Sequence, residues 1–396
     1  MQYHGAMYCT KHASDLRIVA RRLAAGKLAV VLLSAACLGA TADPASLRGA
    51  LERIRQAHDL PAMGAAVLIE GRPAMYDAVG VRKKGSDVSV TRGDRFHLGS
   101  CTKAMTATVL AMLVDKGLLT WDTTIREVFP TMAMRPEYEP VTLRALLEHR
   151  AGLSGDSWPQ GMTFRDVHRL PGDPRQQRRI YTERMLAQPP TASPNNRTIY
   201  SNAGYSIAGA MAEQVTNTSW EQLMQRMLFQ PLDMNLAGFG PMARGPGLDQ
   251  PWQHRPGDSG IEAVGPGPLN DNPPVLAPAG TVHCSLADWA KFIGLHLCSA
   301  NDLLQPETLA DLHTPRLGGP YAAGWRVVQR SWAEGNVLTH AGTNRMNYAV
   351  AWLAPTHQYA VLVVTNQGGE DAEKACDEVA AWVIRTWPPR RTHREP

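Results

Sequence analysis

At 396 residues, with 44% apolar and 19% charged side chains, the chain has ordinary globular composition and length for one large domain or two smaller ones. Its formal net charge of +4 is already present in residues 1–42, where Lys11, Arg17, Arg21, Arg22 and Lys27 face Asp15 alone. The remainder is neutral overall, which removes the electrostatic basis for a nucleic-acid partner, and the basic ending at 389–396 reads as a solvated tail.

The basic start precedes an apolar run from Leu28 to Leu38 and then Ala40-Thr41-Ala42, an A-x-A cleavage site. This layout predicts a secretory signal peptide over 1–42 and a periplasmic or secreted protein. The apolar run is too short to span a bilayer, so no stable membrane span is expected once the leader is removed. Cys101, Cys284, Cys298 and Cys376 follow without C-x-x-C or zinc spacing. Buried free thiols are expected, and no metal.

Gly64–Glu70 and Ala74–Val81 are β-type runs separated by Gly71-Arg72-Pro73, which predicts a hairpin. Phe96–Leu119 reads as a helix stopped at Gly117. From Ala104 to Val114 it is apolar on nearly every face, so it belongs inside the protein. "VTLRALLEHRAGL" predicts a helix from a Thr142 cap to Gly152, and Ser219 and Ser285 cap two more. "SNAGYSIAGAMAEQVTN" carries apolar residues at helical spacing. Gly240–Gly280, dominated by Gly and Pro, reads as a long surface connection. Gly324–Gln329, Val337–Thr339, Tyr348–Leu353 and Tyr359–Thr365 read as strands, and Asp371–Thr386 as a closing helix. The expected fold class is therefore α/β of the α+β type, one domain over 43–388. Both chain ends (43–95 and 281–388) build an antiparallel sheet flanked by helices, with a mostly helical region (96–280) inserted.

Three short segments carry chemistry. Ser100 and Lys103 stand three residues apart at the front of the buried helix, on one face. Burial disfavours the ammonium and lowers its pKa, while the helix start favours negative charge near Ser100. Chance also produces S-x-x-K, and a serine suits an N-cap on its own. Tyr200-Ser201-Asn202 precedes another helix. Tyr200 could act as a base if Lys103 lowers its pKa, and the Asn202 amide could bridge Lys103 and a substrate carbonyl; a packed ring and a capping Asn are the alternatives. His340-Ala341-Gly342-Thr343 lies at a strand edge. Gly342 would admit a substrate close to the backbone, and the Thr343 N–H could join that of Ser100 as an oxyanion hole.

Together these segments resemble the serine β-lactamase and penicillin-binding protein superfamily, in its class C and esterase-like branch. Ser100-Cys101-Thr102-Lys103 matches S-x-x-K, Tyr200-Ser201-Asn202 matches Y-x-N, and His340-Ala341-Gly342 stands where K-T-G stands in true β-lactamases. "LLEHRAGLSG" and Pro278-Ala279-Gly280 are similar to further family segments, and the likeness runs from Leu51 to Ile384. The resemblance implies a Ser100 nucleophile that forms an acyl-enzyme. It implies proton transfer by Lys103 and Tyr200, substrate positioning by Asn202, His340, Gly342 and Thr343, and oxyanion donors at the Ser100 and Thr343 amides. No metal or organic cofactor is implied; the partner is a small ester, amide or peptide substrate. His340 replaces a lysine that gives a permanent charge for a substrate carboxylate, with Arg345 a nearby candidate for charge. The leading reading is an exported serine hydrolase cutting an ester or amide. A β-lactamase or D-amino-acid peptidase acting on cell-wall peptide, and a catalytically silent ligand-binding member, are the alternatives. A Ser-His-Asp hydrolase is disfavoured because G-x-S-x-G is absent, and a zinc hydrolase because H-E-x-x-H is absent.

Overall fold

The computed structural model describes residues 43, 45–298 and 302–390; the expected leader and residues 391–396 of the tail lie outside the described residues. The N-terminal hairpin forms as β1 (Ala62–Ile69) and β2 (Arg72–Gly80). Its turn is Glu70-Gly71, both with positive φ, tighter than the expected three-residue connection. Pro73 therefore falls inside β2. The sheet tolerates it because β2 is an edge strand and the register slips beside it at Val67/Leu68.

The expected helix over Phe96–Leu119 begins later. Phe96 and His97 belong to β3 (Arg95–His97), a 3-10 turn covers Gly99–Cys101, and the α-helix is Thr102–Asp115. Strand pairing wins over helix continuation there because Phe96 and His97 face Cys284 and His283 of a neighbouring strand. The Thr142 cap forms, but its helix is only Leu143–Leu147 and ends before Gly152, because His149 turns to φ 58°. The helix Asn202–Thr216 follows the Tyr200 segment, and Ser219 and Ser285 cap their helices as expected.

Gly240–Gly280 is more than a surface connection. After β4 (Gly238–Phe239) it builds a hairpin of β5 (Gln253–Gly257) and β6 (Gly260–Val264), and it closes in a buried helical turn, Ala277–Gly280. Gln253, His254 and Asp271 are buried within it. Between its buried apolar ends, Met242 and Val275–Ala279, the segment is fixed by buried polar side chains, so hydrophobic patterning gave no sign of the hairpin. β7 (Val282–Ser285) then lies between β3 and β4 in a small sheet.

The last strands are β8 (Arg326–Val328), β9 (Val337–Thr343), β10 (Tyr348–Ala354) and β11 (Tyr359–Thr365). With the first hairpin they form one antiparallel sheet in the order β2-β1-β11-β10-β9-β8. Both faces are covered. On one, Met63, Val67, Val361 and Val363 meet Leu51 and Ile54 of helix Leu47–Ala57 and Val379 and Val383 of helix Glu370–Thr386. On the other, Ala66, Leu68, Leu362 and Val364 join the core of the helical region. Two buried faces explain why these strands read as nearly continuous apolar runs. The short β8 pairs only with Val337–Thr339, so it leaves the second half of β9, His340–Thr343, uncovered on that edge.

Candidate active site

The site is built where the turn Gly99–Cys101 touches β9. A Cβ on Gly342 would collide with the Leu98 carbonyl oxygen and lie 2.6 Å from the Ser100 nitrogen. One on Gly99 would collide with the Thr343 nitrogen. The two backbones thus meet directly, at the two positions where only glycine fits. This corrects the reading of Gly342: the space it leaves is filled by the chain carrying Ser100, not by a substrate. The consequence is that the Ser100 and Thr343 amide nitrogens share one backbone contact.

Lys103 is fully buried. Its Nζ lies 3.1 Å from Ser100 Oγ, 2.7 Å from Asn202 Oδ1 and 2.8 Å from the Ala279 carbonyl oxygen. All three partners are neutral oxygens. Burial is the dominant influence and brings the amine pKa down to about 7. A neutral amine has two N–H donors and one lone pair. With the two shorter contacts taking the donors, the lone pair is left for the Ser100 hydroxyl.

Tyr200 and Asn202 lie beside Lys103. The Asn202 Nδ2 donates to Ser157 Oγ at 3.0 Å, which fixes the amide so that Oδ1 faces Lys103. Asn202 does not cap its helix; Ser201 occupies that place without a side-chain bond. Lys103 Nζ lies 4.8 Å from the centre of the Tyr200 ring, over its face. The expectation that Lys103 lowers the tyrosine pKa is overturned. Burial drives the Tyr200 pKa up, and a hydrogen bond with Ser100 only partly opposes it. Tyr200 is a phenol, not a phenolate, at neutral pH.

His340 is buried, and its Nδ1 donates to the Ala341 carbonyl at 2.6 Å, since a carbonyl can only accept. Its pKa falls to about 3, first through burial and then through Lys103. The imidazole is therefore uncharged where the resemblance implies a lysine cation. Arg345 is exposed, in a turn at φ 70°. Thr343 uses its Oγ1 within its own turn, accepting from Arg345 N at 2.8 Å and donating to the Asn347 carbonyl at 2.7 Å. Tyr200 and His340 line a cavity of about 430 Å³ whose walls include Tyr321, Tyr348 and Trp352. Cys101, Cys284 and Cys376 are buried thiols, and no disulfide occurs among the described residues. Burial raises the Cys101 pKa, so its thiol, beside Ser100 in sequence, stays protonated.

Sequence reasoning missed several supports. His149 packs against Tyr200 with ring centres 4.4 Å apart and the rings tilted by 36°, and its Nδ1 accepts from Ser201 N at 3.1 Å. Its signal was present in "LLEHRAGLSG", but the residue had no assigned task. Ala279 holds Lys103 through its carbonyl, which no side-chain motif announces. Ser157 gave no signal, standing in a loop without periodicity.

A family model described as Beta-lactamase matches residues 47–383. The chain belongs to the beta-lactamase family. Penicillin-binding protein 4 of Amycolatopsis lactamdurans is 30% identical over 82% of this chain and 86% of its own length. Lovastatin esterase of Penicillium rubens is 25% identical over 60% of this chain and 64% of its own length. Among solved structures, a D-stereospecific amidohydrolase from Streptomyces sp. shares the fold with a TM-score of 0.68, at 20% identity over 85% of this chain and 98% of that one. Within this family the protein is a serine hydrolase, related to β-lactamases and to esterases.

The buried amine carries a stability signature. The folded value of about 7 lies below the ordinary 10.5, so between those pH values the unfolded chain holds a proton that the folded chain does not. Stability contributed by this group rises with pH across that window, and below it the full cost, on the order of a few kcal/mol, is present. Urea unfolding of the wild type and Lys103→Met between pH 7 and pH 10 measures it. The wild type should gain stability relative to the variant as pH rises; a constant difference would contradict the burial argument.

Proposed function

We propose that the protein is an exported hydrolase that cleaves an ester or an uncharged amide through an acyl-enzyme on Ser100. The observation that carries this is the dry Lys103 amine, 3.1 Å from Ser100 Oγ and half-deprotonated near neutral pH. Lys103 takes the Ser100 proton as Oγ attacks the substrate carbonyl. The amides of Ser100 and Thr343 receive the developing oxyanion. Tyr200, kept as a phenol beside Ser100, passes a proton to the leaving alcohol or amine and is reprotonated by the Lys103 ammonium, which resets both groups. Water then attacks the acyl carbonyl, giving its proton to this pair, the pair returns a proton to Ser100 Oγ as the acyl bond breaks, and the free acid leaves. Asn202 holds Lys103 and faces the substrate. A silent binding member is the weaker reading, because a binding module gains nothing from a lysine with a depressed pKa on a serine.

Substrate preference turns on His340. An imidazole that stays neutral down to about pH 3 offers no permanent charge to a carboxylate. This favours esters and uncharged amides over β-lactams and cell-wall peptides ending in a carboxylate. The esterase and amidohydrolase relatives fit that range of chemistry, and the cavity beside Tyr200 gives the acyl or leaving group room. The direct test compares a fluorophosphonate and a fluorescent penicillin on wild type and Ser100→Ala. Phosphonate labelling that disappears in the variant, with penicillin labelling at least tenfold slower than phosphonate labelling, is expected. Equal labelling of the variant sinks the nucleophile, and rapid penicillin labelling favours the β-lactamase or peptidase alternative.

Export rests on the layout of residues 1–42, and no helix among the described residues is long and apolar enough to cross a membrane. The intact mass of protein recovered from a secreting host should correspond to a chain starting at Asp43. Recovery of the whole chain from the cytoplasm alone contradicts export.

A further inference from the structure

We propose that Asp271 is a positioning residue: one buried carboxylate that holds the nucleophile's turn, the neighbour of the second oxyanion amide and the lysine's carbonyl support in register. The inference rests on the acyl-enzyme reading of Ser100 and goes beyond it, since no sequence motif includes Asp271.

The connections are direct. The Gly99 N–H donates to His97 Nδ1 at 3.1 Å, so that nitrogen is an acceptor and the ring proton sits on Nε2. His97 Nε2 then donates to Asp271 Oδ2 at 3.0 Å. The other oxygen, Oδ1, accepts from Asn344 Nδ2 at 3.0 Å and from Asn272 N at 2.8 Å. Asn344 follows Thr343 in the chain and also donates to Gln253 Oε1 at 2.7 Å, which accepts from Asn347 Nδ2 at 2.6 Å. Asn272 Nδ2 donates to the Gly280 carbonyl at 2.8 Å, next to Ala279, whose carbonyl holds Lys103. His97, Asp271, Asn344, Asn347 and Gln253 are all buried. Two segments distant in sequence and the adjacent Asn272 meet on the two carboxylate oxygens, and each runs to a different part of the proposed catalytic group.

Only a carboxylate satisfies every donor here. An amide at 271 has one acceptor oxygen. If its NH2 faces His97, the ring must move its proton to Nδ1, where it opposes the Gly99 N–H. If its oxygen faces His97, the NH2 opposes Asn344 and Asn272. One arm fails either way, and misplacement of reacting groups by about 1 Å costs on the order of 10²-fold in rate. The mechanism differs from lost folding, because shape and volume are kept.

Asp271→Asn and His97→Gln test this separately; the second keeps a donor toward Asp271 and drops the acceptor for Gly99. Turnover of a p-nitrophenyl short-chain ester is measured per active site, with sites counted by fluorophosphonate. The expected result is kcat per site lower by roughly tenfold or more in both variants, with KM within about twofold of wild type. Fewer sites with unchanged kcat per site would show a merely structural role and overturn the proposal, as would wild-type kcat per site in either variant. Wild-type protein that hydrolyses the ester while Ser100 escapes the phosphonate would instead defeat the acyl-enzyme reading underneath.

Discussion

An amine sealed in a protein interior without a carboxylate beside it is expensive, and that expense organises this molecule. Lys103 has a serine hydroxyl, an amide oxygen and a backbone carbonyl for company, none of them charged. An acidic partner would hold the ammonium and make it useless as a base. Neutral oxygens satisfy its N–H groups while leaving the charge unstabilised, so the proton comes off near neutral pH. The apolar helix Thr102–Asp115, buried on all faces through Leu113, supplies the dry surroundings.

Geometry at the serine is set by backbone rather than side chains. Gly99 and Gly342 let a turn and a strand touch, and that contact brings two amide nitrogens together. The sheet explains why the contact can hold: β9 is locked to β10 from Leu338 to Thr343 and to β8 only at its start. Its second half keeps one open edge where the site lies. The Pro/Gly-rich segment then braces the contact from behind through Asp271 and Gln253. The buried side-chain donors of His97, Asn344 and Asn347 each find an acceptor in this network, which favours one arrangement.

Much of this was legible from sequence, for physical reasons that differ by element. The strands near the C-terminus announced themselves because both sheet faces are buried, leaving apolar β-branched runs such as Tyr359–Thr365. Ser100 and Lys103 stood out because their polarity conflicts with the apolar helix they head, and Tyr200 and Asn202 because they stand as Y-x-N just before another helix. The start of the serine helix was misplaced because Phe96 and His97 are apolar enough for either a helix or a strand, and only β7 decides. The tyrosine pKa was misjudged in direction: sequence places a lysine nearby but cannot reveal that burial outweighs it. His149, Ser157 and Asp271 were invisible as supports, since their value lies in hydrogen bonds to segments far away in the chain.

The central claim is that Lys103, dried by its helix, is the base that activates Ser100. The second-order rate of fluorophosphonate labelling, followed from pH 5 to pH 10, measures that activation without a substrate pocket intervening. The rate should rise through a single ionisation near pH 7, set by Lys103, and the rise should vanish in Lys103→Met. A rise centred near pH 10, or the same profile in the variant, would contradict it.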